Sequence, residues 1–278
     1  MKIAFCTCVQ IGLSCMEAIY ASGGSLDLIL SIPDEKARKK SGRIYVDDFA
    51  QKHGIPVFKS NHINDEAVKE ELKERGIDWL IIIGWSQIAS KEVISVPTFG
   101  TIGAHPTLLP EGRGRAAIPW AILKGLPQTG VTFFKMDEGV DTGEILGQEI
   151  VPIAPNETAT VLYEKVNHAH ETLIQKIFPL LKQGEIRGTV QDESKASYWE
   201  GRRPEDGQLF PSMTVEEVDR LVRATTRPYP GAFWMDGSKK AIVWAGTVGN
   251  HGPNAISFAN GFYTPTELVW VEEEVPAP

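Results

Sequence analysis

Trp79-Leu80-Ile81-Ile82-Ile83, closed by Gly84, is the stretch on which the fold turns. Five uninterrupted apolar residues, three of them β-branched, describe a strand covered on both faces, the mark of a parallel sheet flanked by helices. The segments on either side agree. Toward the N-terminus, Asp65–Arg75 reads as a helix that Asn64 can cap and Gly76 stops. Before it come a short strand at Ile55–Phe58, a helix at Arg43–His53 closing at Gly54, and a strand at Leu26–Ile32 stopped by Pro33. A helix at Gly12–Ala21, ended by Gly23 and Gly24, and a strand at Lys2–Cys8 complete that half. Toward the C-terminus, Phe99–Ala104 is another strand, ending at His105. Alternating strands and helices predict an α/β architecture with a doubly wound, mostly parallel sheet. Such sheets bind ligands beyond the carboxyl ends of their strands, where Gly84-Trp85-Ser86-Gln87 and His105 both fall.

Beyond His105 the pattern changes. Ile118–Lys124 reads as a helix, and Thr129–Met136 and Glu144–Ile153 as strands on either side of a turn holding Asp141. Thr158–Gln183 is a long amphipathic helix with Leu162, Val166, Leu173, Ile177 and Leu181 inward, stopped by Gly184. Composition shifts near residue 190. Tyr198–Gly207 is polar and turn-rich, and Thr214–Thr225 is a helix with Glu216 or Glu217 available to its first turn. After Tyr229-Pro230-Gly231, short strands at Ala232–Met235, Lys240–Ala245, Ala255–Phe258 and Glu267–Val271 predict a small, mainly-β C-terminal module. The expected division is 1–190, a linker and helix at 191–230, and the β module at 231–278, with a frayed tail from Glu272.

The chain has 278 residues, 42% hydrophobic and 23% charged, with a formal net charge of −8. That is ordinary for a soluble globular protein and makes a nucleic-acid partner unlikely, since such binders usually carry a basic face. The local cluster Lys36, Arg38, Lys39, Lys40 and Arg43 reads either as a solvated loop or as a rim that attracts a phosphorylated ligand. No apolar run reaches the roughly 20 residues of a membrane helix, and the N-terminus lacks a signal-peptide layout, so no membrane partner and a cytoplasmic location are expected. Cys6, Cys8 and Cys15 have no neighbouring His or fourth Cys to complete a metal site, which suits packed, reduced thiols. The first strand–helix turn, Cys8–Gly12, lacks the glycine-rich phosphate loop of a dinucleotide binder.

Chemistry concentrates at His105 and Asp141. A strand-end His and a turn Asp are the parts of an acid/base site, although spacing alone cannot bring them together. In Gly112-Arg113-Gly114-Arg115, glycines let the backbone approach a ligand while guanidinium groups meet phosphate or carboxylate; the bland alternative is a surface turn. Trp199, Arg202 and Arg203 combine an aromatic face with charge, which suits a nucleotide base and diphosphate or simply pins a link between domains.

His105-Pro-Thr107-Leu-Leu-Pro, Arg113-Gly114, Pro119-Trp120-Ala121, and then Thr132, Asp137, Asp141, Gly143, Ile145 and Gln148 together resemble the N10-formyltetrahydrofolate-dependent formyltransferases over roughly residues 1–190. Tyr198–Asp206 and Arg223–Phe233 look like the continuation found in methionyl-tRNA formyltransferases and sugar N-formyltransferases, and it is lacking in the small purine-pathway enzymes. The resemblance implies a Rossmann-like fold and an enzyme with N10-formyltetrahydrofolate as donor. It implies catalysis by His105 and Asp141, and donor binding by Gly84, Trp85, Ser86, Gln87, Ile88, Met136, Asp137, Gly139 and Val140. Thr107, Arg113, Gly114, Arg115, Trp199, Arg202 and Arg203 are the expected acceptor-binding residues. The acidic charge and the C-terminal module, with only Lys239 and Lys240 after Phe233, favour a nucleotide-linked amino sugar as acceptor over methionyl-tRNA. Sugar-modifying members are often homodimers, and no self-complementary stripe marks an interface here. One position departs from the family. It places Asn two residues before the His, where this chain has Gly103. Loss of one oxyanion donor typically costs about 10²–10³ in rate. Thr107, a backbone N–H or a water could replace it, or the chain could be an inactive variant or bind folate without turnover.

Overall fold

The computed structural model describes residues 1–37, 43–184, 186–237 and 239–271; the basic residues Arg38, Lys39 and Lys40 and the tail expected to fray lie outside the described residues. In chain order the elements begin with β1 (Ile3–Cys6), α1 (Gln10–Ala21), β2 (Leu28–Ser31), α2 (Asp34–Ala37), α3 (Asp47–His53) and β3 (Val57–Lys59). They continue with α4 (Glu66–Arg75), β4 (Trp79–Ile82), α5 (Lys91–Ile94), β5 (Gly100–His105), β6 (Arg113–Gly114), α6 (Ala117–Leu123), β7 (Gln128–Lys135), β8 (Ile145–Pro152) and α7 (Ala159–Gln183). The rest are β9 (Tyr198–Trp199), α8 (Val215–Thr225), β10 (Ala232–Asp236), β11 (Lys239–Val248), β12 (Ile256–Phe258) and β13 (Gly261–Val271). Met1–Gly114, Thr129–Val151 and Lys165–Tyr198 form one compact unit; Arg115–Gln128, Pro152–Glu164 and Trp199–Pro278 form another.

The first unit is built on a seven-stranded sheet ordered β3-β2-β1-β4-β5-β7-β8. Its first five strands are parallel: Ile81 of β4 pairs with Phe5 of β1 on one side and Ile102 of β5 on the other. All four residues of β4 are buried, which is why the sequence there is apolar without alternation. Ala4, Cys6, Leu80 and Ile82 face Val68 and Leu72 of α4 in one continuous cluster. The long helix α7 buries the five apolar positions expected of it. Strand β7 runs antiparallel to β5, and the Lys135 N–H donates to the Glu144 carbonyl where β7 returns into β8. The chain lays down β1, β2 and β3 outward and then crosses back to β4 beside β1, so a topological switch point lies at the carboxyl ends of β1 and β4. There Gly84 sits at φ +68°, and a Cβ on it would come within 2.1 Å of Val9 Cγ2. Both conditions demand glycine.

Two details of this unit differ from expectation. Helix α3 starts at Asp47, four residues later than the pattern suggested. Asn64 does not cap α4; its amide donates to the Ile88 carbonyl at 3.0 Å and its Oδ1 accepts from Ser90 N at 2.9 Å, so it ties down the loop after β4. Cys6, Cys8 and Cys15 are buried thiols outside any disulfide, and burial raises Cys6 and Cys15 well above the usual thiol range.

In the second unit, α8 packs on a four-stranded antiparallel sheet ordered β10-β11-β13-β12. Thr214 and Glu217 close α8 with a reciprocal capping box. Strands β11 and β13 are longer than Lys240–Ala245 and Glu267–Val271, because β13 continues through Pro265. Pro265 pairs with Gly246 beside a register shift, the kind of place where a strand tolerates a residue without an N–H.

Candidate active site

His105 is the last residue of β5, paired with Thr132 of β7, and its side chain is almost wholly enclosed. Its Nε2 lies 2.7 Å from the Gly112 carbonyl oxygen. A carbonyl can only accept, so Nε2 carries the ring proton and Nδ1 is the nitrogen left with a free lone pair. Nδ1 stands 3.5 Å from Asp141 Oδ2. The structure therefore brings the two expected catalytic residues together.

Asp141 adopts φ +56°, in the left-handed region where Asp and Asn are the usual non-glycine occupants. Its Oδ2 accepts from the Gly114 N–H at 2.8 Å. The tripeptide Gly112–Gly114 thus grips both partners, the ring of one through a carbonyl and the carboxylate of the other through an amide. The tripeptide is itself pinned: Gly112 N donates to Ser197 Oγ and Arg113 N to Ser197 O, both at 2.9 Å.

Arg113 is 0% exposed. Its Nε and Nη2 donate to Gln191 Oε1 at 3.2 and 2.8 Å, and its Nη1 and Nη2 to the two Glu193 oxygens at 2.9 and 2.6 Å. Nη1 also donates to Tyr198 Oη at 2.9 Å. All five guanidinium hydrogens are engaged, so Arg113 is a buttress and not the substrate contact its sequence context suggested. Thr107 lies on the same stretch of chain, two residues after His105. It is buried, its carbonyl accepts from Thr132 Oγ1 at 2.7 Å, and its own hydroxyl is enclosed without a partner. Gly114 gives its N–H to Asp141, and Arg115 is exposed.

Gly103 lies two residues before His105 on β5 and shares its face. A Cβ there would sit 2.9 Å from Phe134 Cζ and 3.1 Å from Met136 Cγ. The Phe134 ring fills the space into which a side chain at 103 would start.

The donor-binding residues expected from the resemblance occupy two loops. In the first, Gln87 is fixed by its Oε1 accepting from Ile63 N at 2.8 Å and its Nε2 donating to Asn61 O at 2.9 Å. Trp85 packs against two apolar clusters with its Nε1 buried and unpartnered, Ser86 is exposed, and Ile88 stands 80% exposed. In the second, Asp137 Oδ1 accepts from Gly139 N at 3.0 Å and Thr142 Oγ1 at 2.6 Å, shaping the turn that leaves Val140 52% exposed. A cavity of about 280 Å³ involves Lys91, Phe99, Lys135 and Met136–Glu138; His105 is not among its lining residues.

In the second unit, Trp199 and Arg202 gather around Trp120, a residue of the family motif to which sequence reasoning gave no binding role. The Arg202 guanidinium lies 5.1 Å from the Trp120 ring centre, and Lys124 Nζ lies 5.5 Å from Trp120 and 5.8 Å from Trp199. Trp120 Nε1 donates to the Glu200 carbonyl at 2.9 Å. Burial lowers the Arg202 pKa below the usual guanidinium value. Arg203 is exposed, and its backbone N–H is taken by Asp206 Oδ2 at 2.6 Å, a turn-forming contact.

Both the sequence and the fold have known relatives. Residues 19–177 match the family model described as formyl transferase, and residues 202–272 match the formyl transferase C-terminal domain. A methionyl-tRNA formyltransferase of Lachnospira eligens is 30% identical over 90% of this chain and 80% of its own length. Among solved structures, the N-formyltransferase of Helicobacter canadensis, in complex with folinic acid and dTDP-3-aminofucose, superposes with a TM-score of 0.70. It is 20% identical, over 95% of this chain and 97% of that one. The methionyl-tRNA formyltransferase of Clostridium thermocellum gives a TM-score of 0.63 at 20% identity, over 98% and 99% of the two chains. At that identity the structural likeness speaks for the fold alone. The two family matches define a group-transfer enzyme. The chain belongs to the formyl transferase family, and it is an enzyme that transfers formyl groups.

Proposed function

We propose that this protein moves the formyl group of N10-formyltetrahydrofolate to the primary amine of a nucleotide-linked amino sugar. The observation that carries the acceptor class is the cation–aromatic cluster of Trp120, Lys124, Trp199 and Arg202: half-buried rings beside cations suit a base and a diphosphate. In the reaction, the amine nitrogen attacks the formyl carbon, the carbonyl electrons move onto oxygen, and the tetrahedral species collapses by expelling N10 of tetrahydrofolate. His105 Nδ1, the open basic nitrogen, takes the proton shed by the attacking amine, directly or through a water, and returns it to the departing N10. The Gly112 carbonyl orients the ring through Nε2, and Asp141, 3.5 Å from Nδ1, stabilises the imidazolium that forms. The oxyanion has no side-chain donor at position 103, so backbone N–H groups and the protonated ring share its stabilisation.

Methionyl-tRNA is the second reading, favoured by the Lachnospira eligens relative. Against it stand the net charge of −8 and the C-terminal module, where Lys239 and Lys240 are outweighed by Asp236, Glu267, Glu272, Glu273 and Glu274. An enzyme that holds tRNA phosphates needs cations and binds with steep salt dependence. The test is a mass-spectrometric transfer assay with N10-formyltetrahydrofolate, a panel of nucleotide-linked amino sugars, and methionyl-tRNA as competitor. A sugar product heavier by one formyl group is the expected result. Formylation of methionyl-tRNA alone, falling steeply with salt, overturns the sugar reading. No transfer to any acceptor with folate still bound would mark a folate-binding protein without turnover.

A further inference from the structure

We infer that Arg113 and Gln191 are positioning residues for catalysis, a buried relay that holds Asp141 in its left-handed backbone against His105. The inference rests on the reading of His105 and Asp141 as the acid/base pair. Gln191 is 5% exposed. Its amide nitrogen donates to the Asp141 carbonyl at 2.8 Å and to the Gly143 carbonyl at 2.7 Å, on the two sides of the turn that carries the carboxylate. Its amide oxygen accepts from Nε and Nη2 of Arg113. The orientation of this amide follows from its neighbours. Turned over, it would set NH₂ against guanidinium hydrogens and its oxygen against two carbonyls, losing every bond.

Arg113 therefore acts on Asp141 twice. Through its side chain and Gln191 it fixes the Asp141 backbone; through its own main chain it places the Gly114 N–H on Oδ2 and the Gly112 carbonyl on His105 Nε2. The far end of the guanidinium is tied to Glu193 and Tyr198, so the segment 191–198 and the dyad share one rigid frame. Hydrogen bonding to Glu193 raises the already high Arg113 pKa, so the fork stays charged throughout the working range. Misplacing a reacting group by about 1 Å can cost on the order of 10²-fold in rate.

The experiment measures steady-state kinetics of Gln191→Met, Arg113→Lys and the double variant, with donor affinity and circular dichroism in parallel. Met keeps the length and apolar volume of Gln and removes both donors to the turn. The expected result is a kcat lower by about 10²-fold in each single variant, with donor Kd and acceptor KM within about threefold. The double variant should lose little more than either single, because both break one relay. Unchanged kcat in folded Gln191→Met, or losses in the two singles that simply multiply, overturns the relay. If Gln191→Met fails to fold, Tyr198→Phe, which deletes one outer anchor, decides: a kcat loss of about threefold at unchanged KM supports the relay, and no change sinks it. Asp141→Asn separates the two levels of the argument. A normal rate there refutes the acid/base reading itself, whereas a dead Asp141→Asn beside a normal Gln191→Met refutes only the relay.

Discussion

Two parts of the first unit treat their polar and apolar groups in opposite ways. Around His105 and Asp141 most polar groups are paired: the His105 Nε2, the Asp141 carboxylate and carbonyl, and every hydrogen of Arg113 have a protein partner, and the enclosed Thr107 hydroxyl is the exception. Around Gly84–Ile88 and Met136–Val140 the inventory stays open: Ile88 and Val140 stand in solvent, and the Trp85 indole N–H is buried without an acceptor. Chemistry demands geometry fixed before the substrate arrives, because the rate depends steeply on placement. Binding gains from surface that only the ligand covers. On the proposed reading, the closed region serves proton transfer and the open one receives the donor.

The sharpest way to break this contrast is His105→Ala. Removing the proposed base should lower kcat by about 10²–10⁴-fold, leaving donor affinity within about twofold, since the proposed donor face is elsewhere in the unit. Near-normal turnover, measured beside a titration with folinic acid, would mean that the closed geometry is structural only. The next largest effect concerns a second enclosed ring. His170 of α7 is buried with Nδ1 bonded to the Val166 carbonyl at 2.8 Å, and burial, with a lesser contribution from His105, pulls its pKa down to about 4. The unfolded chain takes up a proton near pH 6.5, where the folded one does not, so stability falls as pH drops from about 6.5 toward 4. Protonation of this one site should be worth up to about 3 kcal/mol across that window. Denaturant titrations of His170→Leu should show a shallower pH slope between those limits; an unchanged slope would move the acid sensitivity to other groups.

How much of this was legible beforehand depended on the range of the interactions. Trp79–Ile83 announced its environment in its own composition, because burial on both faces leaves no polar position, and the sheet followed from it. His105 and Asp141 could be named from a strand end and a turn, with the family resemblance supplying the pairing. Arg113 could not be placed, since its partners Gln191, Glu193 and Tyr198 lie 78 to 85 residues further on in a polar stretch with no periodicity. A Gly-Arg-Gly run looks the same whether its guanidinium turns outward or inward. Trp120 and Lys124 were hidden for a related reason: a helix read only for its apolar face does not reveal which ring meets a cation.

Gly103 shows the same limit and leads to a smaller effect. From sequence, Gly103→Asn is a restoration of the family pattern. In the structure it is an overpacking, because the new Cβ would start 2.9 Å from Phe134 Cζ. The expected outcome is a loss of about 1–3 kcal/mol in stability and a slower enzyme. Gly103→Asn combined with Phe134→Leu should recover most of both, the smaller side chain clearing the space. Thermal unfolding and kcat of the single and double variants check this. A single variant as stable as the parent and faster would show that the Phe134 ring moves aside readily, and that the closed region is less closed than its contacts suggest.

The smallest effect tests the open face. Ile88 has its backbone held by Asn64 while its side chain stands free. If a folate ring covers it, Ile88→Ser removes apolar contact from the complex and nothing from the free protein, whose fold the exposed side chain does not support. Losing about 1.4 kcal/mol of buried apolar area should raise the Kd for folinic acid about tenfold, with kcat at saturating donor and the unfolding temperature both unchanged. That combination separates the two regions cleanly, because any variant in the His105–Asp141 frame should move kcat and leave Kd alone. An unaltered Kd would place the donor away from Gly84–Ile88. A fall in kcat at saturation would mean that the open loop helps to set the geometry of the closed one, and the division of labour between the two regions would have to be redrawn.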